Sequence, residues 1–173
     1  RQQVQQQELA AVSLESVDRI IDSPRWKSDD TELRIEVLRE VGNMIERILD
    51  APLPENQKSR AVQLLYQTQR IHRSTGNFAQ AVAIAREVLD VVEREKRNIE
   101  PAAVRELKQG SLGTLVDVLS LQGQIPEATV AVEQLIHEIS DGDLSDHGIV
   151  DQLAKARHLQ GAVLYRSGDM AAA

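Results

Sequence analysis

Apolar residues recur at three- and four-residue spacing along almost all of this 173-residue chain, which is the pattern of amphipathic helices. No segment sustains the alternation of apolar and polar residues that marks a half-buried strand. The pattern therefore predicts an all-α fold of about seven helices. The second helix is expected to be capped by Ser28 or Asp29 and to continue through Gly42. Pro52 and Pro54 end it, the fifth opens at Pro101, and the sixth opens at Ile125.

Three segments share a short motif of glycine, a polar residue, an apolar residue, two unrestricted residues and alanine. They are residues 76–81, 123–128 and 168–173, whose glycines are 47 and 45 residues apart. Glycine can adopt the positive φ that ends a helix, and the polar residue can cap the helix that follows. The small alanine allows two helices to approach closely. Such a period is typical of a solenoid built from helix pairs.

The segment Gly76-Asn77-Phe78-Ala79-Gln80-Ala81 resembles, at every position, the start of the second helix in the tetratricopeptide repeat (TPR) family. The similarity extends over residues 56–173 through the other two joints. The units are longer than the ~34 residues of a usual repeat, and the family's first-helix Trp is absent. Ala85 and Val132 stand where the second helix normally has a large aromatic residue. The resemblance implies a long-helix variant, an α-solenoid of antiparallel helix pairs with a right-handed superhelix.

The prolines at positions 52 and 54 indicate the clearest boundary in the chain. We divide it into an N-terminal helical pair with linker helices at residues 1–51 and TPR-like repeats at residues 52–173. The repeat units span 56–98, 101–140 and an incomplete 145–173. Because the chain begins at Arg1 and stops directly after the third joint, we expect it to be a segment of a longer protein. Its layout is similar to the C-terminal repeat arrays of multidomain bacterial signalling proteins.

Composition narrows the function classes. Lys plus Arg number 20 against 27 Asp plus Glu, a net charge of −7, so a phosphate-binding surface over the whole molecule is not expected and nucleic acid is a poor candidate partner. Aromatic residues make up only 2% of the chain, which excludes aromatic base-stacking platforms. No cysteine is present, and no apolar run approaches the length of a membrane span, so we expect a cytoplasmic protein without a membrane partner.

The residue pattern offers no catalytic or metal-binding motif. His72, His137, His147 and His158 lack the spacing of a helical zinc site and are expected at the surface or half-buried. The acidic segment 141–146 resembles the front of a calcium loop, but Asp146 stands where that loop needs glycine. Carboxylate pairs such as Glu36 and Glu40 are typical of a solvated helix face. We therefore expect a non-enzyme without catalytic residues, metal or cofactor.

The TPR resemblance also implies a set of partner-binding residues, because that register places exposed positions of each first helix on the inner surface of the superhelix. They are Tyr66, Gln67, Arg70 and Arg73 in the first unit, Thr114 and Asp117 in the second, and Lys155, His158 and Arg166 in the third. Arginine can hold carboxylates through paired donors, so such a groove would suit an acidic or carboxylate-ended peptide. The alternative interpretation is that these residues are only the polar sides of amphipathic helices.

These features together favour a protein-interaction, sensor or scaffold module that binds a peptide or protein partner by shape rather than by catalysis. The alternative is self-association, in which a homo-oligomer forms through the incomplete C-terminal repeat. A ligand-sensing or nucleic-acid-binding repeat array is a third hypothesis, which the acidic balance disfavours.

Overall fold

The computed structural model describes residues 12, 14–17, 19–20, 23, 30–49, 55–141 and 147–168. Every element in these ranges is a helix and none is a strand, which confirms the predicted all-α class. Six helices have defined bounds: α1 Thr31–Leu49, α2 Glu55–Ser74, α3 Phe78–Glu95, α4 Pro101–Leu121, α5 Ile125–Ser140 and α6 His147–Ser167. The predicted linker at residues 51–54, the acidic segment 142–146 and residues 169–173 of the third joint lie outside the described residues.

Helix α1 begins at a side-chain cap. The Asp30 carboxylate accepts hydrogen bonds from the backbone N–H groups of Glu32 (3.0 Å) and Leu33 (3.2 Å), two donors that would otherwise lack a helical partner. The predicted capping residues at positions 28 and 29 lie outside the described residues. The helix then continues through Gly42, as the uninterrupted apolar pattern predicted.

Two joints reverse the chain with the same backbone geometry. Gly76 has φ +76° and Gly123 has φ +73°, and each glycine N–H bonds the carbonyl three residues earlier at 3.2 Å. The following residue, Asn77 or Gln124, donates its N–H to the carbonyl five residues earlier, at 2.9 and 2.8 Å. This pair of bonds is the Schellman ending of a helix, which requires the left-handed conformation that glycine adopts without strain.

The side chains after these glycines do not cap the next helix, contrary to the sequence prediction. Asn77 and Gln124 have nearly the same φ and ψ, −80° and 67° against −82° and 64°, and neither makes a side-chain cap hydrogen bond. Their backbone carbonyls instead accept the N–H of Ala81 and Ala128, each at 3.0 Å. The backbone closes the joint in both directions, and the polar side chain is not needed for it.

The chain forms two compact units, Arg1–Pro101 and Ala102–Ala173. In the first unit, α2 packs against both α1 and α3. A helix with two neighbours buries more than one stripe, and α2 accordingly buries Ala61, Val62, Leu64, Leu65, Thr68, Gln69 and His72. Its C-terminal joint then places α3 alongside it, with Ala81 and Ala85 fully buried.

In the second unit, α5 packs against α6, and α4 is tied to both of them by side-chain hydrogen bonds. The buried residues of α5 recur at three- and four-residue spacing and are all apolar: Ala128, Ala131, Val132, Leu135, Ile136 and Ile139. Helix α4 buries a broader face, including Leu112, Leu115 and Leu119. Helix α6 has fewer buried positions, among them Ala156 and Val163. Much of α6 is therefore surface.

A lysine–glutamate ion pair closes the open end of each hairpin. Lys58 Nζ lies 2.9 Å from Glu95 Oε2 between α2 and α3, and Lys108 Nζ lies 2.9 Å from Glu138 Oε1 between α4 and α5. The first pair stands 18 and 19 residues from its joint glycine, and the second stands 15 residues on either side. Since residues equally far from the joint meet, the helices in each hairpin run antiparallel.

The Glu95 carboxyl is held in its charged form by this arrangement. Burial by itself would raise its pKa, but hydrogen bonds from Lys58 and from Asn98 Nδ2 (2.9 Å) lower the pKa below its ordinary value of 4.5. The pair is therefore stabilising at neutral pH, and it also orders the turn after α3 through Asn98.

We expect the joint glycines to resist substitution. A Cβ at Gly76 would meet no atom within 4 Å, so the penalty of Gly76→Ala comes from its positive φ alone and should lower the free energy of unfolding by about 1–2 kcal/mol. Gly42→Ala is the matched control, because Gly42 is helical and equally unobstructed, and it should raise stability by up to about 1 kcal/mol. Urea denaturation checks both values, and equal effects would contradict the assignment.

We expect the ion pair of the first hairpin to contribute more than an exposed pair. Lys58→Met should lower the free energy of unfolding at pH 7 by about 1–2 kcal/mol, since both partners are mostly buried. Lys96→Met is the control, because the Lys96–Glu93 pair is about half exposed and should change stability by less than about 1 kcal/mol.

This contribution should also depend on pH. Because the pKa of Glu95 is lowered on folding, the stabilisation is complete above pH 4.5 and is lost as the pH falls through the lowered value. Urea denaturation of wild type and Lys58→Met should therefore converge in acid, and a gap that stays constant down to about pH 2 would argue against it.

Candidate functional site

The predicted partner-binding residues of the first unit lie on one face of α2. Tyr66, Arg70 and Arg73 follow at four- and three-residue spacing, so they share the side of α2 that is not packed against the core. Arg70 and Arg73 are exposed, while Tyr66 and Gln67 are half-buried. Helix α2 carries four basic residues against one acidic residue, so this face is cationic in an otherwise acidic chain.

The residues predicted for the second repeat are placed differently from the expectation. Thr114 is only 2% exposed, so it cannot line an open groove, and Asp117 is half-buried. The reason is that α4 packs toward both α5 and α6 and so buries residues outside its apolar stripe. Thr114 is thus a core residue of the second unit, and the prediction that it is exposed is wrong.

The residues predicted on α6 are all exposed. Lys155, His158 and Arg166 fall within one side of the helix at 100° per residue, turned away from the buried Ala156 and Val163. Lys155 also pairs with Asp151 one turn earlier at 2.7 Å, an exposed contact of little energetic weight.

Arg166 ties this helix to α4. Its guanidinium donates a 2.7 Å hydrogen bond to Ser120 Oγ, and Ser120 is 7% exposed. Leu121 and Tyr165, the chain neighbours of the bonded residues, are 62% and 65% exposed. We call Leu121, Tyr165 and Arg166 the α4–α6 patch. It places a leucine, a tyrosine and a fixed arginine at the end of the second unit.

Sequence reasoning identified Arg166 but missed Leu121 and Tyr165. A signal existed, because both residues are large and apolar yet fall off the buried stripes of their helices. Leu121 is two residues beyond the buried Leu119, and Tyr165 is two residues beyond the buried Val163. A two-residue step turns a helix by about 200°, which points such a side chain toward solvent.

The second unit also contains a polar cleft of about 260 Å³ where the start of α4 meets the end of α5 and the start of α6. It is lined by Ala102, Arg105, Glu106, Gln109, Glu138, Ile139, Ile149 and Gln152. Glu138 is already engaged by Lys108. The lining has no histidine, hydroxyl or thiol side chain, and the part of the chain that the structure describes has no His, Asp and Glu cluster that could hold a metal ion. The cleft shows no acid–base or ligand arrangement.

His72 is a buried titratable group near the end of α2. It is 4% exposed, and its Nδ1 has no hydrogen-bond partner, so burial lowers its pKa below the ordinary 6.5. The expectation that it is a surface or half-buried residue is wrong. In the register of the joint glycines, His72 corresponds to the buried Leu119. It occupies a core position in neutral form.

No protein-family model matches this chain, and no curated protein matches it. None of the described helices combines the length and the apolar character needed to cross a membrane. A function for this chain is therefore to be sought in the surfaces of the two units and in the residues that fix them.

We expect His72→Leu to stabilise the protein and to remove a pH dependence. Because the pKa of His72 is lowered on folding, the unfolded chain binds the proton more readily, and wild-type stability should fall as the pH drops below 6.5. Leucine should raise the free energy of unfolding by about 1 kcal/mol at pH 7 by replacing an unpaired buried polar atom.

Urea denaturation of wild type and His72→Leu between about pH 7.5 and pH 5 measures this difference. The exposed His158 provides the control, and His158→Leu should leave the pH dependence as in wild type. A gap between wild type and His72→Leu that stays constant with pH would contradict a buried, neutral His72.

Proposed function

We propose that this chain is a TPR-like solenoid module that binds a protein partner through the exposed faces of its first helices, α2, α4 and α6, as part of a larger signalling protein. The repeated joint geometry supports the solenoid. Gly76 and Gly123 end their helices with hydrogen bonds that agree within 0.1 Å, and Gly168 has φ +81° with the same 3.2 Å bond, from its N–H to the Tyr165 carbonyl. Repeats of this kind display a row of first helices, which is a surface for recognition.

The α4–α6 patch is the observation that carries the proposal. Tyrosine and arginine are enriched at the energetic centres of protein interfaces, and large exposed apolar side chains mark such sites. Arg166 is held by Ser120, so it loses little conformational freedom on binding, and Leu121 and Tyr165 flank it. Binding of this type needs no catalytic group, in keeping with a non-enzyme.

The charge of the first helices supports the same surface. Helix α2 has a net charge of +3 and α6 of +2 with histidines neutral, within a chain of −7. A cationic face speeds encounter with an acidic partner and disfavours basic ones. Arg70 and Arg73 on α2 would add to this steering in the first unit.

We expect Leu121→Ala/Tyr165→Ala to weaken partner binding at least tenfold, about 1.4 kcal/mol, without loss of helicity. A photo-crosslinking residue at position 165, in cells, identifies the contacting protein, and calorimetry with that purified protein gives the affinities. Val150→Ala is the matched control, since Val150 is an exposed apolar residue of α6 outside the patch (48% exposed), and it should bind as wild type. Equal loss in both variants, or in neither, would contradict the patch.

A further inference from the structure

The helices of each hairpin carry opposite net charge. The first helices α2, α4 and α6 have net charges of +3, 0 and +2, whereas the second helices α3 and α5 have −2 and −3 with histidines neutral. The chain total of −7 hides this division. Each hairpin that packs as one body therefore shows solvent a neutral or basic helix on one side and an acidic helix on the other.

The acidic side is clearest on α5. Glu127, Val130 and Glu133 are exposed and follow at three-residue spacing, on the side of α5 opposite its buried alanines, valine, leucine and isoleucines. Val130 is 54% exposed, so an apolar side chain sits between two carboxylates. We call Glu127, Val130 and Glu133 the α5 stripe. Helix α5 carries no Lys or Arg that could neutralise it.

The α4–α6 patch has the complementary composition. Its apolar centre, Leu121 and Tyr165, is accompanied by the cations Arg166 and Lys155 on the same side of α6. An apolar centre flanked by cations matches an apolar centre flanked by carboxylates, because both the apolar contact and the charges are satisfied together. Both surfaces belong to the second unit.

We propose that the partner of the α4–α6 patch is the α5 stripe of a second copy of this chain. This inference rests on the proposed function, since it needs the patch to be an interaction surface. The two surfaces differ, so the contact is head-to-tail, and each copy keeps one unused patch and one unused stripe. Copies can then add in a row, with strength that falls as salt screens the flanking charges.

The test is a pair of charge reversals in the full chain. Lys155→Glu/Arg166→Glu removes the cationic patch and keeps the α5 stripe, whereas Glu127→Lys/Glu133→Lys removes the stripe and keeps the patch. Each variant alone should sediment as a 19.2 kDa monomer at about 0.05 M salt, while wild type associates with rising concentration. Mixed in equal amounts, the variants should form a one-to-one dimer that does not grow further.

Controls separate charge from position. Arg39→Glu/Arg47→Glu and Glu36→Lys/Glu40→Lys make the same charge changes at exposed positions of α1 and should associate as wild type. Lys155→Glu/Tyr165→Glu keeps the Arg166–Ser120 bond and should also be monomeric, so a folding defect of the Arg166 variant does not decide the result. Circular dichroism checks that all variants remain helical.

Each result either supports or overturns the proposal. Salt-sensitive association of wild type together with the mixed-variant dimer supports it. Wild type that stays monomeric at about 0.05 M salt overturns it, as does a mixture that stays monomeric. If a polyglutamate peptide binds monomeric wild type and Lys155→Glu/Arg166→Glu does not bind it, the patch serves a different acidic partner. In that case the proposed function stands and the second-copy inference fails.

Discussion

The left-handed glycine at each joint is the constraint on which the rest of the structure depends. Gly76 and Gly123 end one helix and allow the next to begin two residues later, with all of the turning backbone groups bonded to backbone. The tight reversal brings the starts of α2 and α4 against the ends of α3 and α5. Only then can Lys58 reach Glu95 and Lys108 reach Glu138 over sequence separations of 37 and 30 residues. The ion pairs stabilise hairpins whose geometry the glycines have already set.

Much of the fold could be predicted from the sequence, because three- and four-residue spacing, glycine and proline act locally. The continuous α1, the start of α4 at Pro101 and the start of α5 at Ile125 follow from such signals. The burial of Thr114 and His72 does not. A helix packed on two sides buries residues outside its apolar stripe, and the number of neighbours is a tertiary property that local pattern leaves undetermined.

The candidate surface was predictable only in part for the same reason. Lys155, His158 and Arg166 are charged or polar and off the apolar stripe, so exposure follows from pattern alone. The significance of Arg166 comes from its bond to Ser120, 46 residues earlier in the chain, and from the exposure of Leu121 and Tyr165 on either side. Apolar residues are assigned to the core by default, so the two that matter most on this surface are the ones that a pattern overlooks.

Polar burial follows the same division between helices as charge. Among the described residues, all six buried polar side chains belong to α2 or α4: Thr68, Gln69, His72, Ser111, Thr114 and Ser120. The buried residues of α3 and α5 are entirely apolar. Thr68 bonds its own helix, at the Leu65 carbonyl (2.7 Å), whereas Ser120 bonds Arg166 of another helix. The second helices therefore supply most of the purely apolar packing, while the first helices combine a partly polar interior with the exposed cationic face. A surface that must hold arginine in a fixed orientation needs such buried hydroxyls beneath it, and the apolar second helices offset the stability that those hydroxyls cost.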